Sequence, residues 1–449
     1  MTTTDRARDD GQQEAVERLR CVLRAALGER LPTRVRAGLP AGSEPDREQR
    51  REAARAVLDE ARREHTQNEL TAGRALVEPR TEQTVMQEIE HETFGVAGLQ
   101  PLLDDPAVET INVNRWDRVF VRYADGRRQR VAPVAASNEE LTALVRALAA
   151  RAGSEERRFD RGSCQVNVQL PGGERLFAVM AVTHGGDTAV SIRRHGYRVT
   201  TLDDQRRLGT VCRQVQAFEA ASVRARKNML ITGGTAIGKT THLRALASEI
   251  GPEERIVTIE DAYELGLGVD QTRHPDVVAL QSREDNIEGR GGISQAEMVR
   301  WALRMSPDRV IVGEVRGPEV IPMAHAMSQG NDGSMATLHA SSSRIAFTRL
   351  ATYAAQGPER LPAEATAMLV ASAVHFVVHL DTATATGRRV VSSIREVVDA
   401  DGTQIISNEV FRPGPDRRAV YVPGALRTRT LEDLAAVGLD PAMLGGDRW

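Results

Sequence analysis

"NMLITGGTAIGKTTHLRAL", residues 228 to 246, decides the fold. It meets the pattern G-x-x-x-x-G-K-[ST] with Gly233, Gly238, Lys239 and Thr240. In that pattern a glycine-rich turn offers backbone N–H groups to phosphates and the lysine reaches the outer ones. The apolar run before the turn predicts a buried strand, and "KTTHLRALASEI" after it predicts a helix. The turn therefore falls at the carboxyl end of a strand and the N-terminus of a helix, where amides and helix dipole favour an anion. Gly233, Gly234, Thr235, Ala236, Ile237, Gly238, Lys239, Thr240 and Thr241 are the candidate phosphate-binding residues. Ala236 and Ile237 do not obstruct this, because the holding groups are backbone. Ala236 costs about 1 kcal/mol if its position needs positive φ.

Composition sharpens the reading. The chain has 449 residues, enough for two to four domains and a sizeable core. Of its 59 basic residues only Lys227 and Lys239 are lysines. A chain that almost never uses lysine has placed one at the phosphate-loop position. The net charge of −3 gives no general drive toward nucleic acid. No apolar run reaches 18 residues, and "MTTTDRARDDGQQ" lacks the apolar core of a signal peptide. A cytoplasmic protein is expected. Cys21, Cys164 and Cys212 form no CxxC pair, so neither a zinc site nor a disulfide framework is indicated.

Around the loop the chain divides. Residues 1–90 read as a helical appendage: "QEAVERLRCVLRAALGERL" sets Val16, Leu19, Val22, Leu23 and Leu27 at helical spacing, and "LPTRVRAGLPAGSEP" separates it from "EQRREAARAVLDEARREH". Residues 91–199 carry short alternating runs, "ETINVN", "RVFVRYA", "CQVNVQL", "RLFAVMAV" and "TAVSIRR", with helical "NEELTALVRALAARAG" among them and turns at Asp125-Gly126 and Pro171-Gly172-Gly173. This predicts an α+β domain. Residues 200–208 read as a linker. Residues 209–430 alternate strand and helix, which predicts an α/β domain with a parallel, doubly wound sheet. Residues 431–449 are left as a C-terminal tail.

Three further segments gather about the loop. "RVIVGEVRG" brings Glu314 to the end of an apolar strand, where a carboxylate can orient or deprotonate an attacking water. "RIVTIEDAYEL" ends in Glu260 and Asp261 with Glu264 nearby; with Thr240 these hard oxygens suit Mg2+, directly or through waters. The alternative is a solvated acidic loop. "NDGSMATLHASS" carries Gly333, Thr337 and His339; the histidine can sense a γ-phosphate or bond Glu314, or be a satisfied core residue.

These segments, in this order, resemble the secretion ATPases of type II and type IV secretion, and most of all the CpaF-type ATPases of tight-adherence (Flp) pilus assembly. Gly233 to Thr241 match the Walker A motif, Glu260 to Leu265 the Asp box, Val310 to Gly317 Walker B and Gly333 to Ala340 the His box. "NIEGRGGISQAEMVRWALRMSPDRVIVGEVRG" is similar to that subfamily throughout, and "PLLDDPAVETINVN", "LPGGERLFAV" and "VSIRRH" resemble its N-terminal domain. The likeness covers about residues 90 to 412.

The resemblance implies a RecA-like C-terminal domain and a PAS-like N-terminal domain closing over ATP and Mg2+ in a ring-shaped homohexamer. It implies arginines from the N-terminal domain at the phosphates, for which Arg158, Arg175 and Arg193 are the matching candidates. It implies a cytoplasmic enzyme at the membrane face, working beneath a polytopic inner-membrane platform on pilins or secreted proteins. The sequence departs from the family at Thr235-Ala236-Ile237, where Thr-Gly-Ser is usual, and at Asn331, where a histidine is usual. Three alternatives stand beside this: a conjugation or DNA-transfer ATPase of the same superfamily, a RecA- or helicase-type nucleic-acid motor, and a non-hydrolysing nucleotide-binding scaffold, which the loop at 236 and 237 keeps open. The second calls for a basic, aromatic-bearing channel, whereas only 4% of residues are aromatic and no basic block flanks the motifs, so no direct nucleic-acid partner is expected.

Overall fold

The computed structural model describes residues 3–37, 47–94, 97–151, 158–170, 173–194, 201–283, 285 and 290–445. The turn at Pro171-Gly172, residue 200 of the expected linker, residues 286–289 of the subfamily-like segment and the last four residues of the tail lie outside them. The chain forms two compact units, residues 1–195 and 196–449.

In the first unit three helices, Thr3–Ala37, Arg47–Thr71 and Pro79–Phe94, pack round Leu19, Leu23, Leu27, Val57, Leu58, Val85 and Ile89. The heptad-like spacing buries one stripe of each helix and leaves the charged faces to solvent. Cross-helix pairs such as Arg30–Glu64 (2.8 Å) and Arg51–Glu90 (2.6 Å) line the exposed seams. The first helix does not stop before Pro32, as the Pro/Gly stretch suggested, but runs through it to Ala37.

Six antiparallel strands follow: β1 (Val108–Arg115), β2 (Arg118–Tyr123), β3 (Arg128–Val131), β4 (Gln165–Gln169), β5 (Arg175–Val179) and β6 (Ala189–Arg193), in the order β3-β2-β1-β6-β5-β4. Alternation buries Ile111, Val113, Val121, Leu176, Ala178 and Ile192 with Leu141, Val145 and Leu148 of the helix Asn138–Arg151. β3 was not foreseen, because this edge strand, RQRV, is polar and exposed and shows no apolar alternation.

The second unit holds a nine-stranded sheet built from β7 (Met229–Gly233), β8 (Ile256–Glu260), β9 (Val277–Gln281), β10 (Arg309–Val315), β11 (Met335–His339), β12 (Phe376–Thr382), β13 (Arg389–Asp401), β14 (Gln404–Pro413) and β15 (Ala419–Tyr421). The order is β15-β14-β13-β12-β7-β11-β10-β8-β9. From β12 to β9 every pair is parallel. β7 is buried on both faces, with Met229 and Ile231 in one core layer and Leu230 in the other. This is the α/β, RecA-like arrangement expected from the sequence.

The parallel pattern stops at β12. β13, β14 and β15 add an antiparallel meander that strand–helix alternation did not predict. Antiparallel neighbours need only tight turns. The one at Asp401-Gly402, with Gly402 at φ +55°, joins β13 to β14.

Two boundaries also change. The expected linker contains a helix, Leu202–Arg207, closed by a capping box between Thr201 and Asp204. The expected tail is packed: Leu434, Leu439 and Leu444 lie in the core, and Gln214 Nε2 donates to the Leu444 carbonyl at 3.0 Å. Apolar residues spaced through that segment make it core.

Candidate nucleotide site

β7 ends at Gly233, whose φ is +153°. A Cβ there would lie 2.8 Å from the Leu380 carbonyl and 2.7 Å from Ile237 Cγ2, so only glycine fits. The loop runs through Gly234, Thr235 and Ala236, all exposed, then Ile237 and Gly238, and enters the helix Lys239–Ala247. Gly238, at φ +96°, caps that helix without a side-chain hydrogen bond, which leaves its first amides for a ligand. Ala236 does stand at positive φ, +59°, so the strain anticipated from the sequence is present.

Lys239 is 7% exposed. Its Nζ donates to the carbonyls of Gly234 (2.9 Å) and Gly233 (3.3 Å) and lies 3.1 Å from His339 Nδ1. Burial pushes its pKa down to about 8, with nearby Arg316 adding to the effect and Glu314 opposing it. Thr240 and Thr241 follow in the first helical turn, half-buried.

Parallel pairing sets His339 of β11 opposite Gly233. Its Nε2 lies 2.6 Å from Glu314 Oε1, in close contact but without the alignment of a hydrogen bond. Burial and then Lys239 lower the histidine pKa. Thr337, two residues earlier, donates to the Gly313 carbonyl at 2.6 Å and ties β11 to β10 just before Glu314. Glu314 Oε2 accepts from Arg316 Nη2 at 2.5 Å, and Arg316 Nη1 reaches Asp261 Oδ2 at 3.0 Å. Lys239, His339, Glu314, Arg316 and Asp261 thus form one connected chain. Arg316 was not singled out from the sequence. The signal was its i+2 relation to Glu314, which sets both on one side of an extended backbone.

The Asp-box acids, expected to serve Mg2+ directly or through waters, are engaged within the protein. Glu260 is 3% exposed, and its Oε2 accepts from the backbone N–H groups of Glu264 (2.7 Å) and Leu265 (2.8 Å). Its Oε1 accepts from Thr258, and burial raises its pKa. Glu260 therefore shapes its own loop. Asp261 holds Arg316 with one oxygen and Ser282 (2.9 Å) and Gln295 (2.7 Å) with the other. Glu264 is half-buried, and its amide is one of those bound by Glu260. Among the described residues no group of three or more His, Cys, Asp or Glu side chains could hold a metal. The Thr240 hydroxyl is the residue that fits, since Mg2+ in phosphate-loop enzymes takes most of its ligands from phosphates and water.

Beneath the loop lies a cluster that the sequence did not reveal. His242 is fully buried on the phosphate-loop helix, with Nδ1 2.6 Å from Gln205 Oε1 and Nε2 3.0 Å from Glu219 Oε1. Gln205 belongs to the helix misread as linker, and its Nε2 also reaches the Thr241 carbonyl at 3.4 Å.

The three arginine candidates lie in the first unit. Arg193 is exposed on β6 and Ile192 beside it is buried, as alternation requires. Arg193 stands in register with Arg175 on β5, whose Nε donates to Asn167 Oδ1 at 3.2 Å. Arg158 pairs with Asp160 at 2.8 Å. Arg194 donates to the Asp105 carbonyl at 2.6 Å.

Residues 107–412 match the family described as type II/IV secretion system protein. A Mycobacterium tuberculosis protein named "Putative conjugal transfer protein" is 34% identical over 320 residues, which cover 70% of this chain and 88% of that protein. The type IV secretion system protein PtlH of Bordetella pertussis is 32% identical over 333 residues, covering 68% of this chain and 93% of PtlH. The crystal structure of the VirB11 ATPase from the Brucella suis type IV secretion system, in complex with sulphate, is 26% identical and covers 70% of this chain and 96% of that chain, with a TM-score of 0.36. With a phosphate loop facing a strand-end carboxylate, and a family match across more than half its length, the chain belongs to the type II/IV secretion system protein family and is an ATPase of that family.

Proposed function

We propose that this chain hydrolyses ATP with Mg2+ and converts the cycle into domain motion that drives pilus assembly or protein export through a membrane platform, in the manner of the tight-adherence ATPases it resembles. The connected chain Lys239–His339–Glu314–Arg316 carries this reading. Loop amides and Lys239 hold the β- and γ-phosphates of ATP, the lysine giving up loop carbonyls for phosphate oxygens. Arg316 fixes one oxygen of Glu314, while the other, 2.6 Å from His339 Nε2, has no aligned donor and is the one that takes a proton from the attacking water. His339, between Lys239 and Glu314, reports to the carboxylate whether the lysine is engaged. Thr240 would hold Mg2+, which supplies charge neutralisation at the phosphate oxygens when bound.

Arg175 and Arg193 stand side by side on adjacent strands, and like charges so placed are destabilising unless an anion lies over them. This supports their service to a phosphate group in a homohexameric ring, with Arg158 as the third candidate. No helix among the described residues is long and apolar enough to cross a membrane, which fits attachment through a separate platform protein at the cytoplasmic face.

The second reading is DNA transfer, favoured by the relative named for conjugal transfer. Neighbouring genes for pilins and a polytopic platform support the first reading; relaxase and coupling-protein genes, or turnover stimulated several-fold by DNA, support the second.

The test of the catalytic assignment is Glu314→Gln. ATP binding should persist while kcat falls by about 10² or more. Equal loss of binding and turnover removes Glu314 from the role of base. In the same assay Arg193→Ala should lower kcat at least about tenfold in a folded, still oligomeric protein. Wild-type turnover there would end the claim for that arginine.

A further inference from the structure

The antiparallel meander brings one cation to the phosphate loop from the side away from Glu314. β12 turns back into β13 so that Thr382 pairs with Arg389, the first residue of β13. Arg389 lies directly over Gly238: a Cβ placed on that glycine would stand 3.5 Å from Arg389 Cδ and 3.7 Å from its Nη1. The side chain is exposed. Among the described residues no carboxylate pairs with it and no side-chain hydrogen bond engages it. Of the two acids nearest in sequence, Glu396 is buried and held by Arg427 and Thr430, and Asp381 is held by Arg417 at 2.9 and 3.0 Å. The adjacent Arg388 goes elsewhere, with its Nη1 3.8 Å from where a Gly209 Cβ would be.

We infer that Arg389 is a nucleotide-binding residue that clasps the inner, α-phosphate side of a bound ADP or ATP. The inference rests on the nucleotide reading of the loop and adds to it. β7 has β11 on one side and β12 on the other. His339 and Glu314, from β11 and β10, mark the first side as the place of the reacting phosphoryl group. A guanidinium on the opposite side, against the residue that caps the loop helix, meets the part of the nucleotide that does not react. Guanidinium–phosphate bonding there is charge-assisted and forms equally in ground and transition states. Such a contact tightens binding without changing the chemical step.

The experiment measures ADP and ATP affinity together with steady-state turnover of the full-length chain, for wild type, Arg389→Ala, Arg389→Lys, Arg388→Ala and Lys239→Ala. Arg389→Ala should raise the Kd of ADP and of ATP alike by about tenfold, and KM with them, leaving kcat within about twofold. Arg389→Lys should keep part of the affinity, because the charge remains. Arg388→Ala should bind ADP like wild type. The inference is overturned if Arg389→Ala binds ADP like wild type, if kcat falls while Kd stays, or if Arg388→Ala weakens binding as much. A Lys239→Ala protein with undiminished ADP binding would instead sink the nucleotide reading itself, and this inference with it.

Discussion

The two sides of β7 differ in how their charges are answered. Toward β11, β10 and β8, residues far apart in sequence converge at one sheet edge: His339 on Glu314, Glu314 on Arg316, Arg316 on Asp261. Toward β12 and β13, a hairpin sets the Leu380 carbonyl against Gly233 and the Arg389 guanidinium against Gly238, with no acid among the described residues paired to that guanidinium. Parallel strands joined by crossovers bring all their carboxyl ends to one edge, so chemistry gathers there. A hairpin instead supplies neighbours from its own turn. On the proposed reading the first side moves a proton and the second holds an anion.

The strongest way to break this contrast is at the lysine between the two sides. Lys239→Ala should abolish measurable turnover and weaken nucleotide binding severely, since no other lysine is near the loop. Wild-type ATPase activity in this variant would dissolve the assignment of both sides. The same lysine gives the contrast a pH signature. With its pKa held to about 8, it is charged below that pH and attracts phosphate. Above it the lysine is neutral in the free site and binding must take up a proton. ADP affinity should therefore fall by up to about tenfold per pH unit above 8 in wild type, and Lys239→Ala should lose that slope. Titrations from pH 6.5 to 9.5 decide it.

The smallest effect lies in the loop. Ala236→Gly removes a Cβ from a left-handed backbone, worth about 1 kcal/mol, and part of that returns as added freedom of the unfolded chain. The melting temperature should rise by about 2 °C or less, with turnover unchanged or higher. A lower melting temperature would show that the methyl group makes contacts outweighing the strain.

Much of this was legible in the sequence, and particular residues show where that ended. Gly233, Gly238, Lys239 and Thr240 announce themselves, because phosphate binding by a backbone turn imposes local spacing. Glu314 and His339 are visible as polar residues ending apolar runs, and the parallel sheet follows from strands alternating with helices. Ala236 could be named as strained on the condition of positive φ, and its φ is +59°.

Tertiary structure alone decided what those groups touch. Glu260 reads like a metal ligand, yet it binds its own loop's amides, because a buried carboxylate must satisfy its oxygens with the nearest donors. Gln205 reads like part of a linker, yet it meets His242, because a helix folded there carries it under the loop. Arg389 is one arginine among many in sequence, and only the return of β13 beside β12 sets it on Gly238. Backbone patterns are written locally, as spacing and periodicity. Which charge is answered, and by what, depends on distances across the sheet that no local pattern encodes.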